Sequence, residues 1–265
     1  MKAICVKRIV MMLAVCALCF SCDKKEDDVI GEYTGNEQPG QIPGFGEDGG
    51  SIAGKTFVLP NGLEFTGDIM GYSEGADYAT SRSAGSKIDQ FANFLPTLLN
   101  EEGVSTRATI KADVTLGSGG LVTVLIQLKN TGSNKIDVEF PAGLIFESAT
   151  GKYQNGILLK RVKVTVPSGG NTYYVVLHLY CGNASRSASD ASAKYLRPVV
   201  AQSDLLLYLC GLVRNKKINI EENRGLLEQI TYVVMILRLQ NIVWKVTDYG
   251  QVPDQSDLDY IAGLK

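Results

Sequence analysis

The sequence predicts an α+β fold in which an antiparallel β-sandwich comes first and a helical part packs on it afterwards. Three observations lead there. Between residues 107 and 182 apolar side chains recur with period two in short runs separated by Gly, Pro and Asn. From residue 183 onward the apolar spacing becomes that of helices. The change falls on a single stretch, NTYYVVLHLYCGNASR at 171–186, which reads as a strand ending at Cys181 and breaking into a small polar loop.

At the N-terminus Lys2, Lys7 and Arg8 precede an apolar run at 9–20 that suits the core of a signal peptide and is too short to span a bilayer comfortably. The chain is therefore expected to be exported. The run closes on Leu18-Cys19-Phe20-Ser21-Cys22, which resembles the lipobox of bacterial lipoproteins in its relaxed form. The Asp23-Lys24-Lys25-Glu26-Asp27-Asp28 run after it resembles the acidic export tag of Bacteroidota surface lipoproteins. These resemblances imply that residues 1–22 are a lipoprotein signal peptide with Cys22 as the acylated residue. They also imply attachment to a membrane through N-terminal lipid, on the outer membrane and exposed at the cell surface of a Gram-negative bacterium. Residues 23–52 are rich in Gly, Glu, Asp, Gln and Pro and read as a flexible tether.

Residues 53–106 read as a hairpin followed by an irregular and helical segment. Phe57-Val58-Leu59 and Leu63-Glu64-Phe65 flank the turn signal Asn61-Gly62, and Ile88, Phe91, Leu95, Leu98 and Leu99 recur at helical spacing interrupted by Pro96. In the sandwich, 107–182, Val122, Val124, Ile126 and Leu128 share one strand face. Ile136, Val138 and Phe140 form another, with Asp137 and Glu139 pointing outward. Leu144-Ile145-Phe146 follows, and Val162, Val164 and Val166 alternate with Arg161, Lys163 and Thr165. Short strands at a spacing of roughly ten residues suggest an architecture of immunoglobulin or fibronectin type, here without the hallmark tryptophan of antibody domains.

The expected helical part, 183–265, begins with a loop at 182–192. Pro198 opens the next element, and Leu205, Leu209, Cys210 and Leu212 mark a buried helix ending near Arg214. Asn219 with Glu222 three residues on is a capping-box start. The helix that follows carries Leu226, Ile230, Val233, Val234, Leu237, Gln240, Ile242 and Trp244 toward Asp248. It is apolar over most of its circumference, as a buried helix is, and Glu228, Arg238 and Gln240 make it a poor membrane span. Pro253 and Asp254 start a short terminal helix, Leu258 to Leu264.

Composition restricts function. A chain of 265 residues that is 45% hydrophobic can bury a full core, and a net charge of −2 offers no basic field for nucleic acid. The single histidine, His178, lies on a tyrosine-lined strand face and reads as structural. No histidine cluster is present for a metal, no cofactor motif appears, and a hydrolase ranks last. The chain is thus expected to be no enzyme but a non-enzymatic binding or adhesion module for a glycan, a host protein or an envelope protein, with Tyr72, Tyr78, Tyr153 and Tyr174 as candidate contacts. Asn183-Ala184-Ser185 matches a glycosylation sequon, most simply by chance.

An alternative rests on a resemblance. Tyr180-Cys181 at a strand end, with Leu239-Gln240-Asn241-Ile242-Val243-Trp244 later, is similar to the paired motifs of thioester domains in Gram-positive surface adhesins. The resemblance implies an internal thioester in which Cys181 gives the sulfur, Gln240 the acyl group, and Trp244 packs beside the bond. Two blander fates for Cys181 stand next to it: an ordinary buried residue, or a disulfide with Cys210.

Overall fold

The computed structural model describes residues 32–72, 112–223 and 226–265. The expected signal peptide, Cys22, the acidic run and the helical pattern at 88–99 lie outside these residues, as does Tyr78.

Among the described residues the fold is α+β, mostly antiparallel sheet with three helices. Its axis is a pair of long strands, β5 (Val122–Asn130) and β10 (Thr172–Cys181), antiparallel from Thr172↔Lys129 to Leu179↔Val122. Both carry the period-two pattern read from the sequence. Val122, Val124, Ile126 and Leu128 on β5, and Val175, Leu177, Leu179 and Cys181 on β10, enter one apolar cluster. Around them stand β1 (Gly54–Thr56), β2 (Leu63–Phe65), β3 (Ile69–Gly71), β4 (Val114–Gly117), β7 (Leu144–Phe146), β8 (Gly156–Leu158), β11 (Lys194–Tyr195) and β12 (Val199–Ala201). The large sheet has the order β1-β12-β7-β8-β10-β5-β3-β11, with β2 also on β5 and β4 on β10. The β4–β10 pair is parallel, whereas the other named strand pairs among the described residues are antiparallel.

A second, two-stranded sheet pairs β6 (Ile136–Phe140) with β9 (Val162–Val166). Val138, Phe140, Val162, Val164 and Val166 turn inward to the same cluster as β5 and β10, while Asp137 and Thr165 hydrogen-bond on the outer face at 2.6 Å. Alternation alone predicts this division of faces.

The helices are α1 (Asp204–Val213), α2 (Leu226–Thr247) and α3 (Gln255–Ala262). Ser203 caps α1 by accepting from Leu206 N–H at 3.2 Å. Asp254 and Asp257 form a reciprocal capping box at α3. The Asn219–Glu222 signal is met by a 3-10 turn, Ile220–Glu222, with Asn219 N–H donating to Glu222 Oε2 at 3.0 Å. No helix among the described residues is long and apolar enough to cross a membrane.

Four expectations need correction. Part of the segment expected as a tether through residue 52 is packed: Ile42 and Phe45 are buried, and Glu37 Oε2 accepts from Ser203 Oγ at 2.6 Å and Leu205 N–H at 2.9 Å, adding a carboxylate to the start of α1. The predicted hairpin at 57–65 makes its turn, Leu63 N–H to Pro60 O at 3.0 Å, but its arms go elsewhere. β1 ends before Phe57 and pairs β12, while β2 pairs β5. The stretch 183–265 is not purely helical, because β11 and β12 complete the large sheet before α1 begins. Pro198 accordingly precedes a strand, and the helix waits for the Ser203 cap.

Phe140, fully buried where the small sheet meets the large one, is the test of their shared core. Phe140→Ala is expected to cost about 3–5 kcal/mol in urea denaturation, against about 0.5 kcal/mol or less for exposed Val58→Ala.

Candidate functional site

Cys181 occupies a changeover in the sheet. Along β10 the partner on one side is β4 as far as His178, and then β8 at Tyr180↔Ile157 and Cys181↔Gly156. On the other side the β5 ladder stops at Leu179↔Val122. The Gly182 N–H continues toward β8, donating to Asn155 O at 3.0 Å, and the ladder with β5 does not reach Cys181. Buried backbone groups demand partners.

Gln240 supplies them. Its Oε1 accepts from the Cys181 N–H at 2.9 Å and its Nε2 donates to the Cys181 carbonyl at 2.8 Å, so one carboxamide replaces a strand neighbour. Trp244, one turn further along α2 and on the same face, donates its indole N–H to Cys181 Sγ at 3.3 Å. The Asn183 backbone N–H approaches the same sulfur at 3.4 Å. Cys181 and Gln240 are 0% exposed and Trp244 2%, so the three meet in a site closed to solvent. Sulfur carrying two N–H donors is placed to hold negative charge.

The sequence paired Cys181, Gln240 and Trp244 by motif, and the fold brings them together. Trp244 does more than pack, since its N–H reaches the sulfur. The sequence missed Asn183, whose amide is buried and fully engaged: Nδ2 donates to Gly44 O at 3.1 Å and Gly46 O at 3.0 Å, and Oδ1 accepts from Asn155 N–H at 2.9 Å. Asn155 Nδ2 donates to Gly44 O at 2.7 Å. Burial first, and then the neighbouring Cys181 thiol, hold the Tyr195 hydroxyl above its ordinary range.

Other candidates fall away from this centre. Cys210 makes no disulfide with Cys181. Both are free thiols, and Cys210, on the buried face of α1, has its Sγ 4.0 Å from the Leu158 carbonyl, where burial pushes it up to about 12. Tyr72 and Tyr174 are half-buried, and Tyr153 is buried with its hydroxyl 3.1 Å from Asp190 Oδ2 and 2.6 Å from Ser192 Oγ, so Tyr153 is engaged in packing rather than offered as an exposed contact. His178 is buried on β10, and desolvation lowers it to about 4, opposed by a hydrogen bond with the Gly119 backbone. Among the described residues no group of three or more His, Cys, Asp or Glu is arranged to hold a metal ion.

No protein-family model, curated protein or solved structure matches the chain.

The site and its strand generate two expectations. Gln240→Ala removes the hydrogen bonds that its carboxamide makes with the Cys181 N–H and C=O, and the loss at each buried group is expected to cost about 1–3 kcal/mol, read as a fall in the urea midpoint at unchanged slope. His178, whose folded pKa is depressed to about 4 from 6.5, favours the unfolded chain once protons are available. Its contribution is harmless above pH 6.5, and stability is lost as pH falls from 6.5 toward 4, by about 3 kcal/mol in total. His178→Gln is expected to flatten the stability profile between pH 6.5 and 5, measured by denaturation at each pH.

Proposed function

We propose that the chain is a covalent binding module, a surface lipoprotein that attaches to amine-bearing partners through an internal thioester between Cys181 and Gln240. The observation that carries this reading is the Gln240 carboxamide held on Cys181 itself, in a dry site with two N–H donors on the sulfur. The sandwich of immunoglobulin or fibronectin type belongs to the same proposal, with β6–β9 facing the large sheet across one apolar cluster. Export through a leader ending at Cys22, and lipid attachment there to the outer membrane, would place the module where partners are met.

The chemistry follows from the contacts. The Cys181 thiolate attacks Cδ of Gln240; a C–S bond forms, the C–N bond to Nε2 breaks, and ammonia leaves with the thiol proton. Charge that develops on Oε1 during the attack meets the Cys181 N–H already 2.9 Å away, which serves as an oxyanion donor. The Cys181 carbonyl, accepting from Nε2 at 2.8 Å, steers the departing nitrogen away from the sulfur's path. When a partner's primary amine attacks Cδ in turn, a C–N bond forms and the C–S bond breaks. The amine proton passes to sulfur, and an amide joins the two proteins. The Trp244 and Asn183 N–H groups stabilise the thiolate in both steps, as forming nucleophile and as leaving group. The bond survives in water only if the site stays dry, which the burial of Cys181 and Gln240 supports.

The purified full-length chain is expected to gain ~31 Da on incubation with methylamine, as amine adds across a thioester without loss of any other group. Cys181→Ala and Gln240→Ala are expected to show no gain. A wild-type mass unmoved by methylamine would leave Gln240 as a purely structural splice at the end of β10 and remove the covalent reading.

A further inference from the structure

The stretch 40–46 does not merely run past the site; it ties together the two elements that compose it. On the helix side, Gly40 N–H donates to Val246 O at 2.7 Å, two residues beyond Trp244, and Gly46 lies against the end of α2. A Cβ on Gly46, which has φ +57, would fall 2.2 Å from the Thr247 carbonyl oxygen. On the strand side, Gly46 N–H donates to Gly182 O at 2.7 Å, and the Phe45 ring rests on Gly182 so closely that a Cβ there would fall 2.1 Å from Cδ1. Gly182 directly follows Cys181. Phe45 is 0% exposed although, apart from Ile42, the rest of its segment is Gly, Gln and Pro. Only Ile42 and Phe45 in that segment have apolar bulk to hold it down, about 1.5–3 kcal/mol each when buried.

The fastening also reaches the sulfur. Asn183 uses its side chain to hold the Gly44 and Gly46 carbonyls and its backbone N–H to approach Cys181 Sγ. If the segment lifts, Asn183 Nδ2 loses both acceptors, and nothing in the strap then fixes the loop that presents the second donor to sulfur. Access and reactivity are therefore coupled through one residue.

We infer that residues 40–46 are a strap that determines which molecules reach Cys181, with Phe45 as its latch and Asn183 as the positioning residue that links strap closure to the sulfur. While Phe45 is seated on Gly182 the seam between β10 and α2 is closed, and large nucleophiles such as a protein lysine wait on its release. The inference gives the covalent reading its control over partner size, and rests on that reading for its function. The access claim itself concerns the Cys181 thiol whether or not the bond forms.

The experiment treats the full-length chain with methylamine and iodoacetamide together and maps alkylation by peptide mass at Cys181 and Cys210. Methylamine frees the Cys181 thiol if a thioester is present, and iodoacetamide then traps it. Without a thioester the thiol is trapped directly. Cys210, on the buried face of α1 and shifted up to about 12, reports general unfolding in the same sample. Phe45→Ala is expected to raise Cys181 modification at least about tenfold with Cys210 unchanged, and Asn183→Ala to do the same with the strap sequence intact. Phe45→Leu, which restores bulk to the latch, is expected to return the rate toward that of wild type. Equal Cys181 rates in wild type and Phe45→Ala, or rises in parallel at Cys181 and Cys210, would overturn the strap. Failure of the covalent reading is seen separately, as a wild-type intact mass that methylamine alone does not change.

Discussion

Two hydrogen bonds from one side chain hold this architecture at its most exacting point. The central strand β10 outruns its partner β5, and the buried N–H and C=O of its last residue are met by the Gln240 carboxamide. A neutral amide is the side chain suited to this, since it offers an acceptor and a donor side by side in the plane in which a neighbouring strand would offer them. Carboxylate lacks the donor and an aliphatic side chain lacks both. That need fixes the position of α2 along the end of the strand, and with it the indole N–H of Trp244 one turn later. The strap at 40–46 then bonds to both elements and closes the seam between them.

The same contacts admit chemistry because of what else lies at Cys181. Most buried cysteines have apolar surroundings, as Cys210 does, and burial alone makes such a thiol inert. Cys181 is equally buried but has N–H groups of Trp244 and Asn183 on its sulfur and an amide carbon fixed at its own backbone. Burial excludes water, local donors compensate for the lost solvation of a developing charge, and the electrophile is already in place. A structural splice requires only the carboxamide. The indole on the sulfur is the part that a splice does not account for.

What could be read from the sequence was whatever depends on periodicity and local chemistry. The faces of β5, β6, β9 and β10 followed from alternation of Val, Ile and Leu, and the caps at Asn219 and Asp254 from side-chain type and spacing. The Cys181, Gln240 and Trp244 set was legible as motif resemblance, and its proximity is a product of tertiary packing that no local rule supplies. The strap was illegible for the opposite reason. Its composition of Gly, Gln and Pro is that of a linker, and one phenylalanine and one isoleucine give too weak a pattern to signal docking. Close approach explains the composition afterwards, since Gly44 and Gly46 have no room for a Cβ. The short strands β11 and β12 were hidden too: at two and three residues they are held by the pairing of their neighbours, and propensity over so few positions carries little information.

The central claim is a bond between two named atoms, and a high-resolution crystal structure of the untreated protein tests it most directly. The account predicts continuous density from Cys181 Sγ to Gln240 Cδ, with Nε2 gone and Oε1 still on the Cys181 N–H. An intact carboxamide with both heteroatoms on the Cys181 backbone, and a separate thiol beneath the Trp244 indole, would contradict it.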